Sequence, residues 1–262
     1  MKIVVCIKQV PDTTEVKLDP KTNTLIRDGV PSIINPDDKA GIEAALTLKE
    51  QLGGTVTVVC MGPPQADVAL REALAMGCDD TILMSDRAFS GSDTYATAHV
   101  IVAGLKTLDY DLIITGRQAI DGDTAQVGPQ IAEQLGIPQV SYAAEVKTAE
   151  DGAVVVKRQF EDRYQLLKVK TPCLITALSE LAQPRYMTVS GIVNAYNKEV
   201  KVLTFEDVKN NLNPDFIGLK GSPTNVKQSF TKQVKGAGTV INVSADEAVK
   251  TIMDKLIEKH II

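Results

Sequence analysis

The chain has 262 residues, of which 44% are hydrophobic and 23% charged, and its net charge at pH 7 is −5. This length suits one large α/β domain with an extension, and the interspersed charges give no basic surface for nucleic acid or an anionic membrane. No run approaches the roughly 18 apolar residues of a membrane span. The N-terminal MKIVVCIKQV reads directly into a strand, so we expect a cytoplasmic protein without membrane insertion and without a nucleic-acid partner.

Cysteine and histidine usage argues against metal binding and hydrolysis. The four cysteines, Cys6, Cys60, Cys78 and Cys173, are far apart in the sequence and lie in or beside apolar runs. This pattern indicates buried, reduced thiols rather than a CxxC pair or a zinc site. Two histidines leave little material for a histidine-based triad. We therefore expect no metal site and no catalytic side chain.

The first half of the chain alternates short apolar runs with helical patterns. The runs are KIVVCIKQV, TVTVVCMG, TILMSD and DLIITG. Runs rich in Val and Ile that are separated by helices are typical of parallel strands with crossover helices. The pattern predicts a doubly wound, mostly parallel α/β sheet. The long connection EVKLDPKTNTLIRDGVPSI, before the first helix, predicts a hairpin flap.

After Pro138 the pattern changes. SYAAEVK, AVVVKRQF and YQLLKVKTPCLITAL read as strands with short turns, which predicts antiparallel pairing of the later strands. From about Gln183 the periodic signal is sparse until SADEAVKTIMDKLIEKHI, where Ser244 and Glu247 fit a capping box. We therefore predict an α/β domain over residues 1–183, followed by an arm over residues 184–262 that lies across another surface and ends in a helix.

The loop GRQAIDGDTAQVGPQIAEQLG follows the fourth strand, at a place where open α/β sheets bind ligands. Gly116, Gly122 and Gly128 permit close backbone approach, and the amides at the start of the next helix attract an anion. This is a phosphate site in outline. The spacing is neither GxGxxG nor GxxxxGK[ST], however. Spacing alone does not separate a structural turn from a nucleotide cradle.

Two carboxylates in this loop need an explanation, because an anion site disfavours them. Asp123 and Gln126 fit an N-cap with a capping box, whereas Pro129 favours a helix that begins nearer Gly128. Asp121 either caps a turn or accepts a hydrogen bond from a sugar hydroxyl or a ring nitrogen.

An earlier helix start reads INPDDKAG, in which Asn35 is a good N-cap and Pro36 suits the first helical position. Asp37 and Asp38 favour the helix dipole, so a well-capped helix explains these residues fully.

Several motifs together resemble the β subunit of electron transfer flavoprotein. They are CIKQVPDTTEVKL, INPDDKAGIEAAL, CMGPPQADVALREALAMGCDDTILM, GRQAIDGDTAQVGPQIAEQLGIPQ, VKRQFEDRYQLLKVKTPCLIT and QPRYMTVSGI. They cover nearly the whole chain in the expected order. One departure is Glu161–Asp162–Arg163, where the family usually has an acidic, glycine-rich turn.

The resemblance implies a heterodimeric electron carrier with a Rossmann-like adenine-nucleotide-binding fold. Its α subunit would hold a shuttling FAD, and this chain would bind an adenine nucleotide. The implied nucleotide contacts are Cys6, Asn35, Pro36, Asp37, Asp38, Met61, Gly116, Arg117, Gln118, Ala119, Ile120, Asp121, Gly122, Asp123, Thr124, Ala125, Gln126 and Val127. The implied partner-recognition residues are Pro184, Arg185, Tyr186 and Val189.

In most relatives the nucleotide is a structural AMP, whereas in the electron-bifurcating branch the pocket holds a second FAD. The segment SDRAFSGSDTYATAHV, after the third strand, resembles the bifurcating form. Its implied flavin platform is Ala88, Phe89, Ser90, Gly91, Ser92, Asp93 and Thr94. Read without the resemblance, the same segment is a flexible loop in which Asp93 caps a helix.

The bifurcating form implies that electrons from NADH divide between ferredoxin or flavodoxin and an acyl-CoA dehydrogenase. One alternative is a non-bifurcating carrier with AMP. Another is an unrelated ATP-binding or ATP-hydrolysing domain of similar fold. An ATP pyrophosphatase would have an SGGxDS-like loop after its first strand, where this chain has KQVPDTTE.

Overall fold

The computed structural model describes residues 1–12, 31–149, 152–225, 236 and 238–262. Within these ranges the strands are β1 Lys2–Ile7, β2 Gln9–Pro11, β3 Ser32–Ile34, β4 Thr55–Met61, β5 Asp80–Met84, β6 Leu112–Gly116, β7 Gln139–Ala149, β8 Ala153–Gln159, β9 Tyr164–Lys170, β10 Cys173–Ala177 and β11 Lys201–Leu203. The α-helices are α1 Pro36–Leu52, α2 Asp67–Met76, α3 Thr94–Leu105, α4 Val127–Leu135, α5 Val189–Asn197, α6 Phe205–Val208, α7 Gly218–Gly221 and α8 Ala245–Glu258. The chain divides into two compact units, residues 1–228 and 229–262.

One nine-stranded sheet forms the centre of the first unit. Its order is β11-β5-β4-β1-β6-β10-β7-β8-β9. All neighbours from β11 to β7 pair in parallel, and only β7, β8 and β9 pair antiparallel. The predicted doubly wound, mostly parallel α/β sheet is therefore confirmed.

The run YQLLKVKTPCLITAL behaves differently from the prediction. It forms two strands, β9 and β10, and β10 lies in parallel between β6 and β7. Pro172 lies between the two strands, and because it has no N–H it cannot continue a central ladder. Antiparallel pairing was thus correct for β8 and β9 and wrong for β10.

Side chains of β1 alternate between two hydrophobic layers. Ile3, Val5 and Ile7 pack with buried residues of α1 and α2. Val4 and Cys6 pack on the other face with buried residues of α3 and α4. Burial of each large aliphatic side chain stabilises the fold by about 1.5–3 kcal/mol. The helices therefore cover both faces of the parallel sheet.

The carboxyl ends of β1 and β6 meet at a topological switch point. The connection that leaves β1 reaches β4 through α1 on the first face, whereas the connection that leaves β6 enters α4 on the second face. Connections that diverge in this way leave a crevice between neighbouring strand ends. The loop after β6 opens into this crevice.

Residues 184–225 pack on the sheet domain. Ala195 of α5 lies in a small apolar cluster with Leu74 and Ala75 of α2. Strand β11 extends the sheet beside β5, and its Leu203 is buried in the layer of α3. Residues 184–225 therefore belong to the same compact unit as the sheet, and the predicted boundary after residue 183 stays a prediction.

The second unit contains α8. Ser244 and Glu247 form its capping box, as the sequence predicted. Val249, Ile252 and Met253 are exposed apolar side chains of this helix. The predicted flap falls largely on residues 13–30, outside the described residues, and only β2 and β3 at its base are seen to pair antiparallel. Among the described residues, no helix is both long and apolar enough to cross a bilayer.

Candidate functional site

Asp38 ties the ends of β1 and β6 together. Its Oδ2 accepts the backbone N–H of Lys8 at 2.7 Å, and its Oδ1 accepts the backbone N–H of Gly116 at 2.9 Å. A Cβ at position 116 would lie 2.1 Å from this Oδ1, so the contact requires glycine. The carboxyl is buried, and burial raises the pKa of Asp38 to about 7. Both of its oxygens therefore hold the loop, and its contact with a nucleotide stays a prediction.

Asn35 holds the next part of the same loop. Its side chain is 1% exposed, donates to the carbonyl of Gln118 at 2.8 Å and accepts the N–H of Ile120 at 3.1 Å. Asn35 occupies the N-cap position of α1, and Pro36 is the first helical residue, but no cap hydrogen bond is formed by its side chain. The predicted side-chain cap is therefore wrong, because the amide is used across the crevice instead.

Asp121 is held by an ion pair. Lys8 Nζ lies 2.7 Å from Oδ1 and 2.8 Å from Oδ2 of Asp121. The Asp121 side chain is 6% exposed, whereas that of Lys8 is 46% exposed. A second pair joins Arg117 Nε to Asp37 Oδ2 at 3.5 Å. Burial raises the pKa of Asp37, and the charge of Arg117 opposes this rise.

The second half of the loop, residues 122–127, has a different character. Gly122, Asp123, Thr124 and Gln126 are exposed, and a Cβ at Gly122 would meet no atom within 4 Å in the part of the chain that the structure describes. Asp123 and Ala125 have positive φ angles of 48° and 53°. Left-handed residues within a turn can bring successive backbone amides onto one side, where they form an anion-binding concavity. We call residues 122–127 the open half of the loop.

The helix after the loop begins later than a capping box at Asp123 requires. Helix α4 begins at Val127, and the Gln126 side chain makes no cap hydrogen bond. The Asp123 carboxylate instead accepts a hydrogen bond from Gln118 Nε2 at 2.8 Å. The capping-box prediction is therefore wrong, and the later start that Pro129 favoured is correct.

Cys6 and Met61 lie at the floor of the site. Cys6 is buried in the layer of α3 and α4, and burial raises its pKa. Met61 is half-buried at the end of β4. The Cys6 side chain therefore supports the crevice from within the core. Ala119, from the loop itself, accepts the amides of Gly122 and Asp123 through its carbonyl.

The segment after β5 is ordered by residues 213–224, which we call the strap. Leu219 N–H donates to the Ser90 carbonyl at 3.1 Å, and Gly218 N–H donates to Ser92 Oγ at 3.0 Å. Asp93 caps α3 through Ala96 N–H, as the sequence predicted. Thr224 donates to Asp93 Oδ2 through its N–H at 2.9 Å and its hydroxyl at 2.6 Å. The segment is therefore tied to the strap rather than loose.

The predicted flavin platform is partly exposed. Ala88, Ser90 and Gly91 are exposed, whereas Phe89 is 3% exposed and packs in the core below α3. The Phe89 side chain therefore supports the segment from below. Thr94 Oγ1 donates to Gln126 Oε1 at 2.8 Å. This contact joins the first turn of α3 to the open half of the loop.

The predicted partner-recognition residues divide into two kinds. Arg185 is tied down, because its guanidinium and N–H contact the buried Glu43 and its Nη1 lies 2.6 Å from Glu50 Oε1. Tyr186 is 97% exposed and Val189 is 82% exposed. Pro184, Arg185, Tyr186 and Val189 thus form one segment, in which Arg185 is the attachment point.

Sequence reasoning did not identify Lys8 or Thr224 as parts of the site. Lys8 is 113 residues from Asp121, and Thr224 is 131 residues from Asp93. No local periodicity reports contacts of this separation. For Lys8 a signal existed, since it is the charged residue directly after a buried strand that leads into the crevice.

Comparison with known proteins identifies the family. Residues 22–208 match the electron transfer flavoprotein domain. The chain is 56% identical to the electron transfer flavoprotein subunit beta of Clostridium acetobutylicum, over all of both chains. It is 52% identical to subunit CarD of the caffeyl-CoA reductase-Etf complex of Acetobacterium woodii and 51% identical to the acryloyl-CoA reductase electron transfer subunit gamma of Anaerotignum propionicum, again over all of both chains. The chain therefore belongs to the electron transfer flavoprotein family, as a β subunit, and is an electron-transport protein associated with a flavin or nucleotide.

Proposed function

We propose that this β subunit binds FAD at the crevice between β1 and β6 and takes electrons from NADH for flavin-based electron bifurcation. Ferredoxin or flavodoxin would receive one electron, and an acyl-CoA dehydrogenase the other. The observation that carries the proposal is the loop after β6. Its first half is fixed by Lys8, Asn35 and Asp38, and its second half is open beside the first turn of α3.

The open half fits the phosphates of an adenine nucleotide. The amides of Val127 and Gly128, the first two residues of α4, have no partner within their own helix by geometry, and Pro129 has no N–H. The helix dipole favours an anion at this end. The space around Gly122 admits a ligand close to the backbone. The amides at the start of α4 would bind the phosphates, since those of Gly122 and Asp123 already donate to the Ala119 carbonyl. Asn35 and Asp38 keep the loop in position.

The contact between Thr94 and Gln126 supports FAD over AMP. It joins the first turn of α3 to the nucleotide loop, and the exposed Ala88, Ser90 and Gly91 precede this turn in the chain. We propose that the ring system of FAD, which is larger than adenine, lies on this side. FAD supplies the redox chemistry when it is bound. The protein would orient it and set the local charge through the helix N-termini, with no side chain acting as an acid or base.

The names of two relatives support an acyl-CoA-linked electron acceptor. One is a subunit of a caffeyl-CoA reductase-Etf complex and another is an electron transfer subunit of acryloyl-CoA reductase. An electron route to an acyl-CoA dehydrogenase or a related reductase agrees with both names. The same electron route would serve a non-bifurcating carrier with AMP. The cofactor content of the heterodimer distinguishes the two forms.

Two exposed apolar surfaces support partner binding. The first lies on the recognition segment and the outer side of α5, where Tyr186, Val189, Val193 and Tyr196 are each more than half exposed; we assign it to the dehydrogenase. The second is the apolar side of α8, which we assign to the α subunit. Clustered exposed apolar side chains of this kind are typical of interaction sites.

Replacing Gly122 by Val tests the nucleotide loop. The new side chain has space in the free protein, so folding should be unaffected. It would block backbone approach of the ligand, and we expect nucleotide affinity to fall at least about tenfold. The measurement is nucleotide content of the purified heterodimer after gel filtration. Gly236→Val is the matched control, since a Cβ there also meets no atom of the described residues within 4 Å. Unchanged nucleotide content in Gly122→Val would remove this loop from the site.

A further inference from the structure

The ion pair between Lys8 and Asp121 stands next to the proposed phosphate cradle. Asp121 directly precedes Gly122, the first residue of the open half. A carboxylate at this position would repel a phosphate group, because two like charges within a few ångströms oppose each other strongly where water is partly excluded. The Asp121 side chain is 6% exposed, so water alone screens its charge poorly.

Lys8 is well placed to cancel this charge. Its ammonium contacts both carboxylate oxygens, at 2.7 and 2.8 Å. Its backbone is fixed as well, because its N–H donates to Asp38 Oδ2 and its carbonyl accepts the N–H of Asn35 at 2.9 Å. Contacts within the protein therefore hold the backbone from which the Lys8 side chain reaches Asp121.

The other carboxylate of the loop is treated differently. Asp123 is exposed and accepts a hydrogen bond from the neutral amide of Gln118. Bulk water screens its charge. Asp121 is thus the one loop carboxylate, among the described residues of 116–127, that is both shielded from water and paired with a cation.

We infer that Lys8 is a positioning residue for the nucleotide, which acts by neutralising Asp121 and so allows an anionic phosphate to occupy the open half of the loop. The inference rests on the proposed nucleotide site. The inference assigns no phosphate contact to Lys8, of whose three N–H donors two are engaged by the oxygens of Asp121.

The test uses the heterodimer stripped of bound nucleotide and titrated with adenosine, AMP and ADP. Lys8→Met should weaken AMP binding about tenfold and ADP binding more, while adenosine binding changes less than about twofold. The reason is that only the phosphates are repelled by the Asp121 charge once Lys8 no longer neutralises it. A merely structural role for Lys8 would weaken all three ligands equally.

The double variant Lys8→Met/Asp121→Asn separates neutralisation from direct contact. With both charges absent, AMP affinity should return to within about threefold of the wild type. If it stays as low as in Lys8→Met, Lys8 binds the phosphate directly and the inference is wrong. Unchanged AMP binding in Lys8→Met would also overturn it. Lys2→Met is the matched control, because Lys2 pairs with the exposed Asp109 at the opposite end of β1.

Failure of this inference can be told apart from failure of the proposed function. If the wild-type heterodimer binds neither AMP nor ADP nor FAD, the nucleotide site itself is refuted. If the wild type binds them and the variants behave differently from these expectations, only the role of Lys8 is refuted.

Discussion

Asp38→Asn is expected to lower the free energy of unfolding by about 2 kcal/mol at pH 5. The two oxygens of Asp38 accept backbone N–H groups from Lys8 and Gly116. An asparagine side chain has only one acceptor atom, whereas the Asp38 carboxyl, even when protonated at pH 5, keeps acceptor capacity on both oxygens. In the variant one buried N–H would therefore face an NH₂ group and lose its partner. An unsatisfied buried donor costs about 1–3 kcal/mol. Urea unfolding of the heterodimer measures the difference.

The same pair of proteins should show a defined pH dependence. Burial raises the pKa of Asp38 to about 7 in the folded state, above the value of about 3.9 for an unfolded aspartate. Because the pKa is raised, the contribution of Asp38 to the free energy of unfolding is full below about pH 4 and is lost as the pH rises through about 7. The advantage of the wild type over Asp38→Asn should therefore shrink between pH 5 and pH 8.

If the difference in free energy of unfolding between the wild type and Asp38→Asn grew with pH, the raised pKa of Asp38 would be contradicted. Such a result would mean that the fold stabilises the Asp38 carboxylate. Asp67→Asn is the control. Asp67 forms an i,i+4 pair with Arg71 on the partly exposed surface of α2. Its loss should change the free energy of unfolding by no more than about 0.5 kcal/mol.

Arg185→Ala is expected to destabilise the protein by about 3 kcal/mol. Glu43 is 7% exposed, and Arg185 is its cation, with Nε at 2.9 Å from Oε2 and Nη2 at 2.8 Å from Oε1. Removing one partner leaves a buried charge uncompensated, which costs about 3–5 kcal/mol. We take the lower end because a third of the Arg185 side chain is exposed.

The control for this variant is Arg163→Ala. Arg163 lies 3.8 Å from Asp162, and both side chains are largely exposed. Val189→Ala, on the same segment as Arg185, should also leave the urea midpoint unchanged, because Val189 is 82% exposed. If Arg185→Ala unfolds at the same urea concentration as these two variants, Arg185 is not the attachment point of the recognition segment.

The layered sheet could be predicted from the sequence because its signals are local. Each of the first parallel strands is a short apolar run, and each crossover helix follows in the chain. The caps at Asp93 and Ser244 involve residues three positions apart. Such patterns can be read from a sequence whenever the core is built from segments that are neighbours in the chain.

The positions that could not be predicted depend on distant pairs. Strand β10 enters the sheet between β6 and β7 because its five buried residues fill that gap, and no local feature of CLITA specifies its neighbours. Arg185 meets Glu43 across 142 residues. The role of Asn35 was predicted as an N-cap because the local geometry permits one, but the loop after β6 takes up its amide instead.

Cofactor content of the denatured heterodimer tests the central claim most directly. A bifurcating electron transfer flavoprotein requires two flavins, since a single flavin has no second site at which to divide an electron pair. We expect release of two FAD and essentially no AMP, and reduction of ferredoxin by NADH only when a high-potential acceptor is also present. One FAD and one AMP per heterodimer would contradict the bifurcating assignment and leave an electron carrier with structural AMP.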